Sequence, residues 1–358
     1  MKTSLYVFNP YSGIGGGDTT LIRFLKSINL KKYNVTIFTL EKVKKISKKI
    51  KIIKLAASST LMSFIQIKKI ILSDNSLKKI FFSMQYFVNV PAIFFLSKIK
   101  NLKMIIYEIN HPDQLKYSEN TIQFFKNKIL SFLVKKIYHK ADIVSSNSKE
   151  LSKDLSALIN KKVEIIYNPC FFKIKKRNKD IKNSKITILN IARFERQKDH
   201  LTLLKAINHS KVKNNIRLNL VGYGTREKLI KDYVNKNNID CKIYKSKKLS
   251  SFYRSSDLFI LTSLYEGLPT VMVEAASHCM PIITSQFKSG SSEILNNGKF
   301  GFVFPVKDFR ALSKIIENFY KNPKIFFKKE KLCRKNIKKF SNKKSLIKFN
   351  YFLDKLSN

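Results

Sequence analysis

The sequence predicts an α/β protein built from two doubly wound parallel sheets. Three observations carry that prediction. Short apolar runs alternate with longer helical patterns from end to end, which implies parallel strands covered by helices on both faces. At 358 residues the chain is too long for one ordinary core, so two domains are expected. The alternation is interrupted once, by the polar, basic stretch Cys170–Ser184, and Asn168-Pro169 breaks the strand before it. The expected division is an N-terminal domain over 1–168, a linker over 169–184, a second domain over 185–332 and a helical tail over 333–358.

In chain order, Leu5–Phe8, Val35–Leu40, Ile80–Ser83, Met104–Tyr107, Ile143–Ser145 and Glu164–Tyr167 read as buried strands of the first half. Helical patterns at Leu21–Asn29, Val90–Lys98 and Thr121–Lys140 lie between them. In the second half the strands are Ile186–Ile191, Ile216–Val221, Cys241–Tyr244, Leu258–Leu261, Pro281–Thr284 and Gly301–Val303. The helices there are His200–His209, Thr225–Asn237, Ser250–Ser255, Val271–His278 and Phe309–Asn322. In such sheets ligands bind outside the carboxyl ends of the strands, so a cleft between the domains is expected to hold the chemistry. The tail repeats apolar residues at Ile337, Phe340, Leu346, Phe349 and Leu353 and is expected to form a closing helix packed back on the first domain.

Residues Ile80–Ser97 carry no charge over eighteen positions, the length of a spanning helix. Ser83, Gln85, Asn89 and Pro91 interrupt the run. It reads instead as a strand over Lys79–Met84 and a helix entered at Asn89, with Pro91 in its first turn. The N-terminus passes straight into a strand-like alternation and lacks the pattern of a signal peptide. Four dispersed cysteines form no C-x-x-C pair, which argues against a zinc cage or a disulfide framework and for reduced thiols in the cytosol.

The net charge is +46, from 70 basic and 24 acidic residues. Only nine of the basic residues are Arg, and base readout and bidentate phosphate binding favour Arg, so a nucleic-acid-binding protein is disfavoured. A Lys-rich genomic composition accounts for part of the excess; the remainder would draw the chain to an anionic membrane surface. Segment 121–140 pairs an aromatic and aliphatic face with lysines, which suits an interfacial helix and equally a core helix with a solvated basic face.

The chemistry-bearing stretch is Tyr265-Glu-Gly-Leu-Pro-Thr-Val-Met-Val-Glu274, between an apolar strand and a small-residue helix. A strand, a Gly/Pro loop and a helix in that order aim backbone N–H groups at an anion, while carboxylates accept from hydroxyls. Amides for phosphate and carboxylates for hydroxyls together suit a sugar nucleotide. A turn with two solvated glutamates would give the same pattern. The loop Asn9–Asp18 contains Gly13, Gly15, Gly16 and Gly17, which let backbone approach a ligand; it is not G-x-G-x-x-G, so a nicotinamide dinucleotide is disfavoured. Arg193 and Lys198 lie on a strand-to-helix connection where both could reach one pyrophosphate. Gly222-Tyr-Gly224 forms a turn after a strand, and Ser291–Pro305 looks structural.

The order and spacing of these pieces resemble the retaining GT-B glycosyltransferases of family 4, the glycosyl transferases group 1. The resemblance is strongest over 186–305 and looser in the first half, where Ser145–Glu150 and Ile166–Pro169 join the glycine loop. It implies two Rossmann-like domains facing a central cleft. It implies transfer of a hexose or N-acetylhexosamine from a nucleotide-diphosphate sugar, UDP being the expected nucleotide. The implied acceptor is a lipid-linked or cell-surface polysaccharide or lipopolysaccharide precursor at the inner face of the membrane. By the same resemblance Arg193 and Lys198 neutralise the donor diphosphate, Glu266 holds the transferred sugar, and the amides of Gly267, Leu268, Pro269 and Thr270 line the sugar and phosphate. Glu274 accepts from the ribose, and Gly16, Gly17 and Gly222 line the donor. His111 stands where the family often carries a histidine near the anomeric carbon, with Glu108 and Asn110 as alternatives facing sugar or acceptor. Ala192 departs from the Gly usual before the Arg. No D-x-D pair is visible, so no metal and no other cofactor are expected, with Arg193 and Lys198 in the metal's place. A GT-B epimerase or hydrolase acting on the donor alone remains the enzymatic alternative.

Overall fold

The seven strands of the first sheet are all parallel, an arrangement that requires crossovers rather than hairpins between successive strands. The structure is a computed structural model that describes residues 2–10, 15–41, 46–118, 120–175, 185–246 and 248–358. The chain divides into two units, Met1–Pro169 with Asn342–Asn358, and Cys170–Ser341.

The first unit runs β1 (Thr3–Phe8), α1 (Gly16–Ser27), β2 (Tyr33–Thr39), β3 (Lys51–Lys54), α2 (Thr60–Leu72), β4 (Lys79–Met84) and α3 (Tyr86–Leu96). It continues through β5 (Leu102–Glu108), α4 (Thr121–Ile137), β6 (Ile143–Ser146), α5 (Lys149–Ile159) and β7 (Val163–Ile165). The strand order is β3-β2-β1-β4-β5-β6-β7. Side chains alternate across this sheet as the pleat requires. Tyr6, Phe8, Phe81 and Ile106 meet helices α2 to α5 on one face. Leu5, Val7, Phe82 and Tyr107 meet α1 on the other, together with the last helix of the chain.

The second unit holds β8 (Ile186–Ile191), α6 (His200–His209), β9 (Ile216–Val221), α7 (Glu227–Lys236), β10 (Cys241–Tyr244), α8 (Ser250–Ser255) and β11 (Leu258–Leu261). Then come α9 (Thr270–Ser277), β12 (Ile282–Ser285), α10 (Gly290–Leu295), β13 (Phe302–Phe304), α11 (Phe309–Lys321) and α12 (Pro323–Asn336). Its six parallel strands are ordered β10-β9-β8-β11-β12-β13. The final helix, α13 (Asn342–Ser357), belongs to the first unit, where Phe349 stacks on Phe24 with centroids 4.4 Å apart. Residues 333–336 therefore end α12 in the second unit, and only the part of the expected tail from Asn342 lies with the first. Of the expected linker, residues 176–184 lie outside the described residues.

Three element expectations need correction. Strand β3 carries a half-exposed Lys-Ile-Ile-Lys and gives no buried apolar run, so the sequence does not announce it. Strand β7 spans Val163–Ile165 and so ends two residues short of Tyr167, with the Ile166 N–H making a last hydrogen bond to the Ser146 carbonyl of β6. Helix α3 starts at Tyr86 rather than Asn89 and takes Pro91 into its interior. Gln85 occupies its cap with a left-handed φ of 76°. Asn89, far from capping, is buried and donates to Glu108. Among the described residues, no helix is long and apolar enough to cross a membrane.

Candidate functional site

In each sheet the strand order reverses once, between β1 and β4 and between β8 and β11. The crevice at the carboxyl ends of such a strand pair is the place where open α/β sheets bind ligands. In the second unit the loop after β8 carries Arg193 and Lys198, and the loop after β11 carries Glu266.

These two loops are laced together. Thr262 Oγ1 donates to the Lys198 carbonyl at 2.9 Å, the Leu264 N–H to the Gln197 carbonyl at 2.8 Å, and Gln197 Nε2 to the Tyr265 carbonyl at 2.9 Å. Asp199, with φ of 42°, turns the chain left-handed into α6. The lacing presents Lys198 to Glu266, and the two form an ion pair whose side chains are only 15% and 8% exposed. Ser263 Oγ donates to the same carboxylate at 2.8 Å and Gln197 Nε2 at 3.4 Å. An ammonium has three donors, so Lys198 keeps capacity for an anion beyond Glu266. Nearby His200 is buried, and burial together with the Lys198 charge pushes its pKa down to about 3, which keeps the imidazole neutral.

Arg193 lies on the same connection, exposed and with no ion-pair partner among the described residues. Ala192 fits without a left-handed backbone. Its carbonyl explains Gly222, because a Cβ at Gly222 would lie 1.9 Å from the Ala192 oxygen. Gly222 therefore lets the β9 turn close on the Arg193 loop.

Residues Gly267, Leu268 and Pro269 lead into α9, which begins at Thr270 with Pro269 in the cap position. The first N–H groups of such a helix have no intrahelical acceptor. Glu274 sits farther along α9, half-buried, and accepts from Tyr253 Oη at 3.1 Å. Burial and the Glu274 charge hold the Tyr253 phenol protonated, well above its usual range. The structure thus brings Lys198 and Glu266 into direct contact, with Arg193 on the first of these connections and Glu274 in the helix that follows the second.

In the first unit, Gly15 caps α1, Gly16 opens it and Gly17 faces the loops after β4 and β5, where a Cβ would meet Ile109 at 3.0 Å. Asp18 brings a carboxylate to the same helix end, accepting from the Gly15 N–H at 3.3 Å. Gly13 lies outside the described residues. His111 is buried at the start of the turn Pro112–Lys116. Its Nδ1 accepts the Asp113 N–H at 3.1 Å, so Nε2 carries the proton and donates it to Asp154 Oδ2 at 2.9 Å. Glu108 is fully buried, and its Oε1 accepts from Asn89 Nδ2 and Tyr138 Oη. Asn110 is bonded to Gln114 at 2.9 Å.

Residues 171–340 match the family described as "Glycosyl transferases group 1". Over 228 residues the chain is 25% identical to the N-acetylgalactosamine-N,N'-diacetylbacillosaminyl-diphospho-undecaprenol 4-alpha-N-acetylgalactosaminyltransferase of Campylobacter jejuni, covering 60% of this chain and 61% of that one. The chain spans less than two thirds of the length of the first relatives it matches, 61% and 55%. Among solved structures, sucrose-phosphate synthase from Thermosynechococcus elongatus superposes with a TM-score of 0.83 over 99% of both chains at 15% identity. Anabaena HepE in complex with UDP and glucose gives 0.76 over 98% of this chain and 99% of its own, at 13% identity. The fold is GT-B, two Rossmann-like units.

Four residues of this site escape sequence reasoning. Gln197, Ser263 and Tyr253 reach Glu266 or Glu274 from positions with no motif spacing of their own. Gly290 is the fourth. Its N–H donates to the Gly267 carbonyl at 2.6 Å, and a Cβ there would lie 2.4 Å from that oxygen. The only signal was its place just ahead of a stretch that reads as structural.

Proposed function

We propose that the protein is a retaining glycosyltransferase that moves a hexose or N-acetylhexosamine from UDP-sugar to a lipid-linked or cell-surface polysaccharide precursor. It works without a metal ion at the cytoplasmic face of the membrane. The observation that carries this reading is the buried Lys198–Glu266 pair at the strand-order reversal of the second unit, beside the Gly267–Pro269 entry to α9. The group 1 match over the same residues supports it. So do a relative named for transfer onto a diphospho-undecaprenol acceptor and a neighbour bound to UDP and glucose.

In this reading the anomeric carbon–oxygen bond to the diphosphate breaks while an acceptor hydroxyl bonds the same face of the sugar and passes its proton to the departing phosphate oxygen. Charge accumulates on the diphosphate, and fixed cations and amides stabilise it most effectively in a site shielded from water. Lys198 and the exposed Arg193 supply the cations, and the first N–H groups of α9 the amides. Glu266, held by Ser263 and Gln197, accepts from sugar hydroxyls. Glu274, held by Tyr253, accepts from the ribose, and Gly16 and Gly17 admit the donor to the first unit's backbone.

The test is transfer of label from UDP-sugars into a lipid extract. Glu274→Ala and Lys198→Ala should each lower transfer by about 100-fold or more. Because Lys198→Ala leaves Glu266 shielded without its cation, the Lys198→Ala/Glu266→Gln double variant serves as its folded control. Normal turnover in either Lys198 variant overturns the phosphate assignment. Release of free sugar with no labelled lipid replaces transfer by hydrolysis.

A further inference from the structure

Helix α4 turns a row of large apolar side chains away from its own core. Leu130, Val134 and Ile137 pack into the core and Asn127 donates to the Tyr117 carbonyl, whereas Ile122, Phe125, Ile129 and Phe132 are 68%, 61%, 60% and 59% exposed. The spacing i, i+3, i+7, i+10 aligns these four on one stripe. Lys126 flanks the stripe on one side and Lys128 and Lys135 on the other, with Lys136 at its end; the helix contains no Asp or Glu. Lysine stems lie along the rings, Lys128 Nζ 5.3 Å from the centre of Phe124 and Lys136 Nζ 5.9 Å from that of Phe132.

The neighbouring helices repeat the pattern. Helix α3 packs against both α2 and α4 and exposes Phe87 and Phe94, the latter by 71%. Helix α2 exposes Leu61, Ile65 and Leu72 with Lys68 and Lys69 beside them, and it too has no acidic residue. One helical layer of the first unit thus presents aromatic and aliphatic groups set among lysines. A scattered exposed apolar residue needs no explanation, but aligned rows on adjacent helices do.

We infer that the outer faces of α2, α3 and α4 dock on an anionic lipid bilayer, with the apolar row of α4 inserted at the headgroup boundary and the lysines on lipid phosphates. Charge selects this occupant. A second copy would bring lysine rows against lysine rows, and like charges juxtaposed oppose association. An acidic protein would satisfy the lysines but not Phe125, Ile129 and Phe132 at once, whereas a bilayer interface offers both phosphate and acyl chain. The inference rests only on the membrane-surface part of the proposed function; the test uses no sugar donor, so its failure leaves the transfer reading standing.

The experiment is sedimentation of the full chain with phosphatidylcholine vesicles containing about 30 mol% phosphatidylglycerol, against pure phosphatidylcholine. The native protein should pellet with the anionic vesicles. Phe125→Ser/Phe132→Ser should weaken partitioning at least about tenfold. Replacing Lys126, Lys128, Lys135 and Lys136 by Gln should do the same and flatten the salt dependence. Removing four exposed lysines from α12 instead (Lys324, Lys328, Lys331 and Lys335 to Gln) should change it less than about twofold. Tryptophan emission of Phe125→Trp should shift to the blue on anionic vesicles. Equal loss in the α12 control, native-like binding by the Phe variant, or no emission shift overturns the inference. So does conversion of an oligomer to a monomer by the Phe variant with lipid binding unchanged.

Discussion

Lys198 and Glu266 come from loops 68 residues apart in sequence, and the hydrogen bonds of Thr262, Leu264 and Gln197 fix their approach before any ligand arrives. A carboxylate shielded this far needs its donors, so Gln197 and Ser263 are positioning residues as much as the lysine is a cation. Gly290 acts on the same loop from outside. Gly290→Ala must push the Gly267 carbonyl away, which should cost about 1–3 kcal/mol in chemical denaturation and raise the KM for donor with a smaller change in kcat. Unchanged KM would separate Gly290 from donor binding. His111 is different, because both ring nitrogens are already engaged. His111→Ala should lose about 1 kcal/mol through the lost cap, and on the proposed function should lower turnover more than donor affinity. If only stability moves, the residue is a cap and nothing more. At this scale the sequence shows the charged residues that carry motif spacing and hides their supports. Glu266 and Glu274 stand out by their interval around Gly267-Leu-Pro269, whereas Tyr253 and Gly290 become neighbours only through the fold.

Elements were legible where burial is continuous. Two interior strands of the second sheet, β8 over Ile186–Ile191 and β9 over Ile216–Val221, have the bounds that their apolar runs predict. Edge strand β3 escapes because one flank is open and its residues are half-exposed. The start of α3 escapes because the polar residue that looks like a cap, Asn89, serves a buried carboxyl. Glu108 Oε1 accepts from Asn89 Nδ2 at 2.6 Å and from Tyr138 Oη at 2.5 Å, while Oε2 has no partner among the described residues. Burial pushes this carboxyl from 4.5 up to about 8, against the pull of those two hydrogen bonds. The consequence is a stability slope of defined sign. Below about pH 4.5 both folded and unfolded chains hold the proton. Between there and about pH 8 only the folded state does, so stability falls as pH rises, by up to about 1.4 kcal/mol per unit, and levels off above. Glu108→Gln should remove that slope and gain most over the native protein near pH 8. Denaturant titrations at pH 5 and pH 8 check it, and parallel pH dependence in the two proteins would count against an unsatisfied carboxyl.

On the scale of the molecule, a parallel α/β chain announces itself through alternation, but the place where it leaves one unit for the other does not. Helices α12 and α13 are both Lys-rich and amphipathic, and only the tertiary partners of Phe349, Phe352 and Leu353, which include Phe24 and Phe82, assign α13 to the first unit. Two units with separate cores give ligand binding a separable signature. Every donor contact proposed for Arg193, Lys198, Glu266 and Glu274 falls in the second unit, so UDP alone should stabilise the chain without an acceptor. A ligand that binds only the native state at about 100 times its Kd adds about 2.7 kcal/mol, a shift of several degrees in a thermal melt. That shift should survive EDTA, since cations of the chain are assigned to the diphosphate, and it should shrink in Lys198→Ala and Glu274→Ala. Phe125→Ser/Phe132→Ser, on the first unit, should keep it. A shift that EDTA abolishes and added Mg²⁺ restores would transfer the diphosphate from Arg193 and Lys198 to a metal ion, and a full shift in both site variants would move the nucleotide elsewhere.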